Sequence, residues 1–135
     1  MKELTITAVI ENIPAVTDFV TEQLESLNCP PKVLVQISIA IDELFSNIAR
    51  YAYAPETGAA TVQVEVIEQP LAVIVTFIDK GRPYDPLANA DPDITLSADE
   101  RIPGGLGIYV VKKSMDSIAY EYKNGQNILK IIKNM

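Results

Sequence analysis

The stretch IDELFSNIARYAY (residues 41–53) combines an apolar helical pattern with a small polar set beside it. Apolar residues recur here at spacings of three and four, and continue upstream, which predicts a helix from about 31 to 53. At about 100° per residue, Glu43, Asn47 and Arg50 fall within roughly 60° of one another, beside the apolar stripe. They are either ordinary solvated residues of an amphipathic helix, or a carboxylate and an amide placed for chemistry.

The most apolar segment of the chain ends in an acidic residue. LAVIVTFID (71–79) is apolar at nearly every position, as expected of a central strand, and Asp79 closes it. A side chain at the end of such a strand is in a usual place for contacting a ligand. Aspartate also commonly caps turns, and here it precedes a turn at Gly81. The sequence leaves both roles open for Asp79.

Three of the six glycines lie within four positions. They are Gly104, Gly105 and Gly107, directly before an apolar segment that predicts a helix to about Met115. The free N–H groups at a helix N-terminus form an anion site that suits phosphate. The alternative is a glycine-rich loop that merely begins a helix, because short glycine patterns recur by chance. Dinucleotide-binding and P-loop motifs are excluded, since the glycines do not directly follow a strand and no Gly-Lys-Ser/Thr is present.

The rest of the chain supplies strands and one more helix. A first strand is predicted at 2–10, a helix from Asn12 to about 28, a strand at 61–68 and a hairpin at the C-terminus. Residues 80–103 are rich in proline and show no periodicity, which indicates either a functional lid or a secondary-structure element that the pattern does not reveal. The order β-α-α-β-β-lid-α-β-β predicts an α+β two-layer sandwich, with helices on one face of a mixed, mostly antiparallel sheet.

Composition excludes several classes of site. With 135 residues, 48% of them hydrophobic and 21% charged, the chain is expected to be one globular domain. The absence of histidine removes Ser-His-Asp and Cys-His nucleophilic sites and histidine-based metal sites. The single Cys29 excludes an internal disulfide. Any metal would be a hard ion held by oxygens, which favours Mg²⁺ with a phosphate ligand.

The charge balance argues against two classes of partner. The net charge is −7, from 18 acidic and 11 basic residues, so direct binding to nucleic acid or to an anionic membrane is not expected. The N-terminal segment lacks the pattern of a signal peptide, and no apolar run approaches the ~20 residues of a membrane span. We therefore expect a cytoplasmic protein.

Taken together, the motifs resemble a known family. DELFSNIARYAY, DKGRPYDPL, GGLGIYVVKKSMD and NGQNILKIIK are similar, in order and spacing, to the bacterial anti-sigma factor serine/threonine kinases of the GHKL superfamily. The resemblance runs from end to end. It implies a single histidine-kinase-like ATP-binding domain over residues 1–135, with the Bergerat fold, three helices on one face and an ATP lid at about 80–103. Two departures are Tyr51, where relatives often have histidine, and Pro83, where many GHKL proteins have a glycine.

The resemblance also implies a role for each candidate residue. Glu43 would be the base that orients a water or a serine hydroxyl, Asn47 would give an amide oxygen to Mg²⁺, and Asp79 would accept from the adenine amino group. Gly81 would let the backbone approach the base, and Arg50 would belong to the nucleotide site. The backbone N–H groups for the phosphates would come from Gly104, Gly105, Leu106 and Gly107.

The implied function is phosphoryl transfer. ATP or ADP with Mg²⁺ would be bound, and a serine of a STAS-type anti-sigma-factor antagonist would be phosphorylated. The protein would also sequester a sigma factor or another regulator, and would form a homodimer through its first strand and the following helix. The alternative is a nucleotide-gated protein-binding module without kinase activity. Autophosphorylation on histidine is excluded within this chain, which has none.

Overall fold

The structure is a computed structural model that describes residues 1–88 and 105–135. In chain order its elements are β1 (Lys2–Thr7), a 3₁₀ turn (Ile10–Asn12), α1 (Ile13–Glu25), α2 (Pro31–Asn47), a π-helical turn (Ile48–Ala52), β2 (Ala59–Ile67), β3 (Ala72–Asp79), α3 (Gly105–Ser114), β4 (Ser117–Lys123) and β5 (Gln126–Asn134). The predicted order of strands and helices is confirmed. Of the predicted lid, residues 89–103 lie outside the described residues, as does Gly104.

The strands form one sheet in the order β1-β2-β3-β5-β4, and each neighbouring pair is antiparallel. Asn124 and Gly125 join β4 to β5 with φ values of 55° and 76°, the left-handed conformation that tight hairpin turns require. Because β5 returns beside β3, Asp79 at the end of β3 lies directly opposite Asn127. This pairing places the functional site.

The three helices differ in length and in what they bury. α1 has Pro14 in its first turn, and α2 begins at Pro31, where a missing N–H costs no hydrogen bond. α1 buries Val16, Val20 and Leu24 at a spacing of four. In the described ranges, no helix combines the length and apolar character that crossing a bilayer requires.

The core lies between these helices and one face of the sheet. Residues on this face alternate along the strands, and they pack with the apolar stripe of α2. The largest fully buried side chains include Phe45, Ile37, Ile41 and Leu44 of α2, with Val62, Val75 and Phe77 of the sheet. The predicted two-layer α+β fold is therefore confirmed.

The ends of β1 and α2 differ from the sequence prediction, and α1 ends at Glu25 rather than at about residue 28. β1 ends at Thr7 rather than at residue 10, because Nδ2 of Asn12 donates to the Thr7 carbonyl at 2.8 Å and turns the chain into α1. The helix predicted to residue 53 is present, but its last five residues, Ile48–Ala52, are π-helical. The spacing of apolar residues did not predict this wider turn. Such turns occur frequently at functional sites.

Candidate functional site

A pocket opens between the end of α2, the π-helical turn and the ends of β3 and β5. Its walls are largely apolar, and polar side chains converge on it from α2, β3, β4, β5 and the segment that follows β3. The lining residues are Leu44, Asn47, Ile48, Ala52, Phe77, Asp79, Arg82, Tyr84, Pro86, Tyr120, Asn127 and Leu129. Apolar walls with a few fixed polar groups are typical of sites for small organic ligands.

Asp79 is the acidic group of this pocket, and its side chain is only 5% exposed. Its Oδ1 accepts from the Gly81 N–H at 2.9 Å and from Nδ2 of Asn127 at 2.9 Å. The first bond is the turn cap that the sequence left open as an alternative. Oδ2 accepts no hydrogen bond from the part of the chain that the structure describes, so it remains available to a ligand donor.

Gly81 lies against the π-helical turn. A Cβ at this position would come within 2.6 Å of Cβ of Ala52 and closer still to the Ala52 carbonyl, so a side chain cannot be accommodated without movement. The adjacent Arg82 N–H donates to that carbonyl at 2.9 Å. The backbone after β3 therefore follows the wall of the pocket closely, and the π-helical turn supplies the acceptor that holds it there.

Glu43 lies one helical turn before Asn47 and packs against the start of α3. A Cβ on Gly107 would lie 2.8 Å from Oε1 of Glu43 and closer to its Oε2 and Cδ. A side chain at position 107 would therefore force the Glu43 carboxylate to move. The two predicted motifs, on α2 and on α3, are in direct contact.

This contact gives a testable expectation. Gly107→Ala should raise the free energy of unfolding by less than the ~1 kcal/mol that alanine can gain over glycine within a helix, because the new methyl group displaces the Glu43 carboxylate. In a Glu43→Ala background the same substitution should give nearly the full gain, since the obstacle is gone. Urea unfolding of the four proteins of this double-mutant cycle measures the coupling. An equal effect of Gly107→Ala in both backgrounds would contradict the contact.

The structure brings most, not all, of the predicted residues to one region. Asn47 and Asp79 line the pocket, Gly81 follows Asp79, and Glu43 contacts Gly107 beside it. The backbones of Gly105 and Leu106 form the first turn of α3. Gly104 lies outside the described residues. Arg50 is exposed within the π-helical turn and is not among the residues that line the pocket.

Tyr84 and Tyr120 line the pocket, and Tyr84 also contacts the exposed Tyr51. The Tyr51 and Tyr84 rings lie 5.8 Å apart between centroids and are inclined by 39°. Burial raises the pKa of the Tyr84 phenol above its ordinary value, with smaller contributions from Tyr51 and Asp85. Burial also raises the pKa of Tyr120, so both phenols on the pocket wall are neutral at physiological pH and can donate.

Sequence comparison identifies the family. A family model described as a histidine kinase-like ATPase domain matches residues 6–133. The chain belongs to this family. The family expected from the sequence motifs is thereby confirmed.

Relatives of this histidine kinase-like ATPase domain include protein kinases. Serine/threonine-protein kinase BtrW of Bordetella bronchiseptica is 28% identical over 93 residues, which cover 69% of this chain and 65% of BtrW. Serine-protein kinase RsbW of Bacillus licheniformis is 30% identical over 99 residues, which cover 68% of this chain and 59% of RsbW. The match thus spans less than two thirds of each relative. The solved structure of the Acinetobacter baumannii histidine kinase AdeS superposes with a TM-score of 0.51 at 18% identity, covering all of this chain and 69% of AdeS, which shows a shared fold.

Sequence reasoning missed one residue of the ATPase-domain pocket that the structure makes central. Asn127 follows the Asn124–Gly125 turn by two residues and is 6% exposed. The hairpin turn predicts that β4 pairs with β5. It does not predict that β5 also pairs with β3, or that Asn127 lies opposite Asp79. The available signal was a polar residue at the first inward position of the strand, where Leu129 and Ile131 occupy the next two.

Proposed function

We propose that this chain binds ATP and transfers its γ-phosphoryl group to a serine of a partner protein. The observation that carries the proposal is the Asp79 carboxylate, buried at the end of an apolar pocket with one oxygen already bonded and the other open. The relatives include serine/threonine- and serine-protein kinases, which supports phosphoryl transfer to a serine.

The pocket residues fit the adenine end of the nucleotide. Leu44, Ile48 and Phe77 supply apolar surface for a flat ring. Oδ2 of Asp79 would accept from the exocyclic amino group, a donor that adenine has and an oxopurine lacks at the same position. The absence of a side chain at Gly81 lets the backbone approach the base.

The phosphates would lie toward the start of α3. Backbone N–H groups of Gly104, Gly105, Leu106 and Gly107 would receive them, as helix N-termini commonly do. Asn47 would give an amide oxygen to Mg²⁺. Among residues 1–88 and 105–135 no three acidic or cysteine side chains come together as a metal site. Phosphate oxygens and water would therefore complete the coordination, which is the usual arrangement for Mg²⁺ at nucleotides.

Glu43 would act on the nucleophile. In the transfer, the serine Oγ forms a bond to the γ-phosphorus while the bond from that phosphorus to the bridging oxygen breaks. The Glu43 carboxylate would take the hydroxyl proton, and its packing against Gly107 holds it beside the phosphate-binding end of α3. Positioning and charge stabilisation dominate phosphoryl transfer, so this small set of residues can suffice.

We propose a STAS-type anti-sigma-factor antagonist as the protein substrate, and a sigma factor or another regulator as the sequestered partner. Both follow from the resemblance to anti-sigma factor kinases.

We also propose a homodimer that uses β1 and α1. β1 is an edge strand of the sheet, which leaves one side of its backbone available for pairing. Equilibrium sedimentation should give the mass of two chains, and the mass of one chain at every concentration would contradict the dimer.

The test of transfer uses ATP labelled on its γ-phosphate, Mg²⁺ and a purified STAS-type anti-sigma-factor antagonist. We expect label on a serine of that protein, and none when the serine is replaced by alanine. A complex that forms only with nucleotide but carries no label would instead support the alternative, a nucleotide-gated binding module. Absence of both label and complex would refute the proposed partner.

A further inference from the structure

Asn127 uses both ends of its buried side-chain amide. Its Nδ2 lies 2.9 Å from Oδ1 of Asp79, 2.8 Å from the Arg82 carbonyl and 3.4 Å from the Gly81 carbonyl. Its Oδ1 accepts from the Tyr84 N–H at 3.1 Å and from the Tyr120 hydroxyl at 2.5 Å. One side chain thus joins the carboxylate to the segment that follows β3 and to β4.

The partners fix which way the amide points. The Tyr84 N–H can only donate, so it must face the amide oxygen. The Arg82 carbonyl can only accept, so it must face the amide nitrogen. Rotating the amide by 180° would turn its NH₂ group toward the Tyr84 N–H and its oxygen toward the Arg82 carbonyl. A donor would then face a donor, and an acceptor would face an acceptor. Nδ2 is therefore directed at Asp79.

This orientation determines which part of Asp79 is left for a ligand. Oδ1 receives two N–H donors, one from Asn127 and one from the Gly81 backbone. The plane of the carboxylate is thereby held, and Oδ2 is the remaining acceptor. Without the Asn127 donor, Asp79 would keep only the bond to its own turn and could rotate about it.

We propose that Asn127 is a positioning residue that sets purine selectivity by directing Oδ2 of Asp79 at the position of a ligand amino group. The amino group of a 6-aminopurine can then donate to Oδ2 of Asp79. The oxygen of a 6-oxopurine is an acceptor and cannot. This inference rests on the proposed nucleotide site and extends it to a residue on β5. Tyr120 donates to the amide oxygen of Asn127, and among the described residues it forms no hydrogen bond with Asp79.

The side chain required at this position is narrowly defined. It must donate to a carboxylate and to a backbone carbonyl while it accepts from a backbone N–H. Aspartate has the same shape and keeps the acceptor, yet it loses both donors and brings a second carboxylate against Asp79. Asn127→Asp therefore removes the proposed function of the residue with the smallest change in volume.

The experiment measures dissociation constants of Mg-ADP and Mg-inosine diphosphate by calorimetry, since the two differ in the group at C6. For Asn127→Asp we expect the preference for ADP to fall by about tenfold or more, because a hydrogen bond that orients a charged group is lost. For Asn134→Asp, the matched control at the exposed other end of β5 and outside the pocket, we expect an unchanged preference. If Asn127 had only a structural role, Asn127→Asp would weaken the binding of both nucleotides by the same factor.

Each outcome decides something. An undiminished preference for ADP in Asn127→Asp would overturn this inference and leave the proposed function intact. A wild-type protein that binds neither nucleotide, or binds both equally, would refute the proposed site itself. Should Asn127→Asp fail to fold, Asn127→Leu has a similar volume and no donor, and its preference for ADP must then fall for the inference to stand.

Discussion

Replacing Glu43 by glutamine should lower phosphoryl transfer by about 10²–10⁴-fold, the usual contribution of a general base, while the affinity for Mg-ADP stays nearly constant. Glutamine keeps the shape that packs against Gly107 but cannot take the proton of the serine hydroxyl. The carboxylate acts on the nucleophile rather than on the nucleotide, so the loss belongs to the transition state. Initial rates with the protein substrate, beside calorimetry with ADP, separate the two effects.

Asp42→Asn is the matched control for this experiment. Asp42 precedes Glu43 on the same helix and is exposed, so the substitution removes the same charge without touching the site. We expect its transfer rate to remain within a few-fold of the wild-type rate. Should Glu43→Gln lose ADP binding in proportion to transfer, Glu43 would be a structural support of α3 and not the base.

Asp79→Asn should weaken ADP binding by about 100-fold, equivalent to ~3 kcal/mol at the base. The reason is the orientation that the two hydrogen-bond donors next to Asp79 impose on the side chain. The Gly81 N–H and Nδ2 of Asn127 both donate to the inner oxygen, so an amide at position 79 must keep its oxygen there. Its NH₂ group then takes the place of Oδ2 and opposes the amino group of adenine, donor against donor.

A thermal shift measures this loss simply. Ligand at 100 times its dissociation constant stabilises a protein by about 2.7 kcal/mol, and the same concentration would give about 0.4 kcal/mol after a 100-fold loss. Asp85→Asn is the control, because Asp85 caps the N–H of Leu87 at 2.8 Å as Asp79 caps that of Gly81, yet does not line the pocket. A full ADP shift in Asp79→Asn would mean that Asp79 is only a turn cap.

Local patterns predicted the elements because their causes are local. The spacing of apolar residues located α2, and alternation of valines at 62, 64 and 66 located β2. The strong apolar character of 71–79 also indicated a central strand, and β3 is the middle of the sheet. In each case the core residues are spaced along the sequence at the repeat of their own helix or strand.

The contacts that complete the site depend on relations between distant segments. Asn127 becomes a partner of Asp79 only because β5 pairs with β3 in one particular register. Gly107 contacts Glu43 because α3 packs beside α2, so a glycine predicted for phosphate binding also has a steric requirement. The π-helical turn leaves no trace in apolar spacing, and it was visible only in the structure.

The most direct test of the nucleotide site is a titration of the isotopically labelled protein with Mg-ADP, followed by backbone amide chemical shifts. We expect the largest changes at Gly81, at Asn127 and along residues 44–52, which surround the pocket. The open face of the sheet around Gln63, Thr76 and Lys130 should remain unchanged and serves as the internal reference. Changes confined to that face, or no saturable change at Gly81 and Asn127, would contradict the assignment of this pocket to ATP.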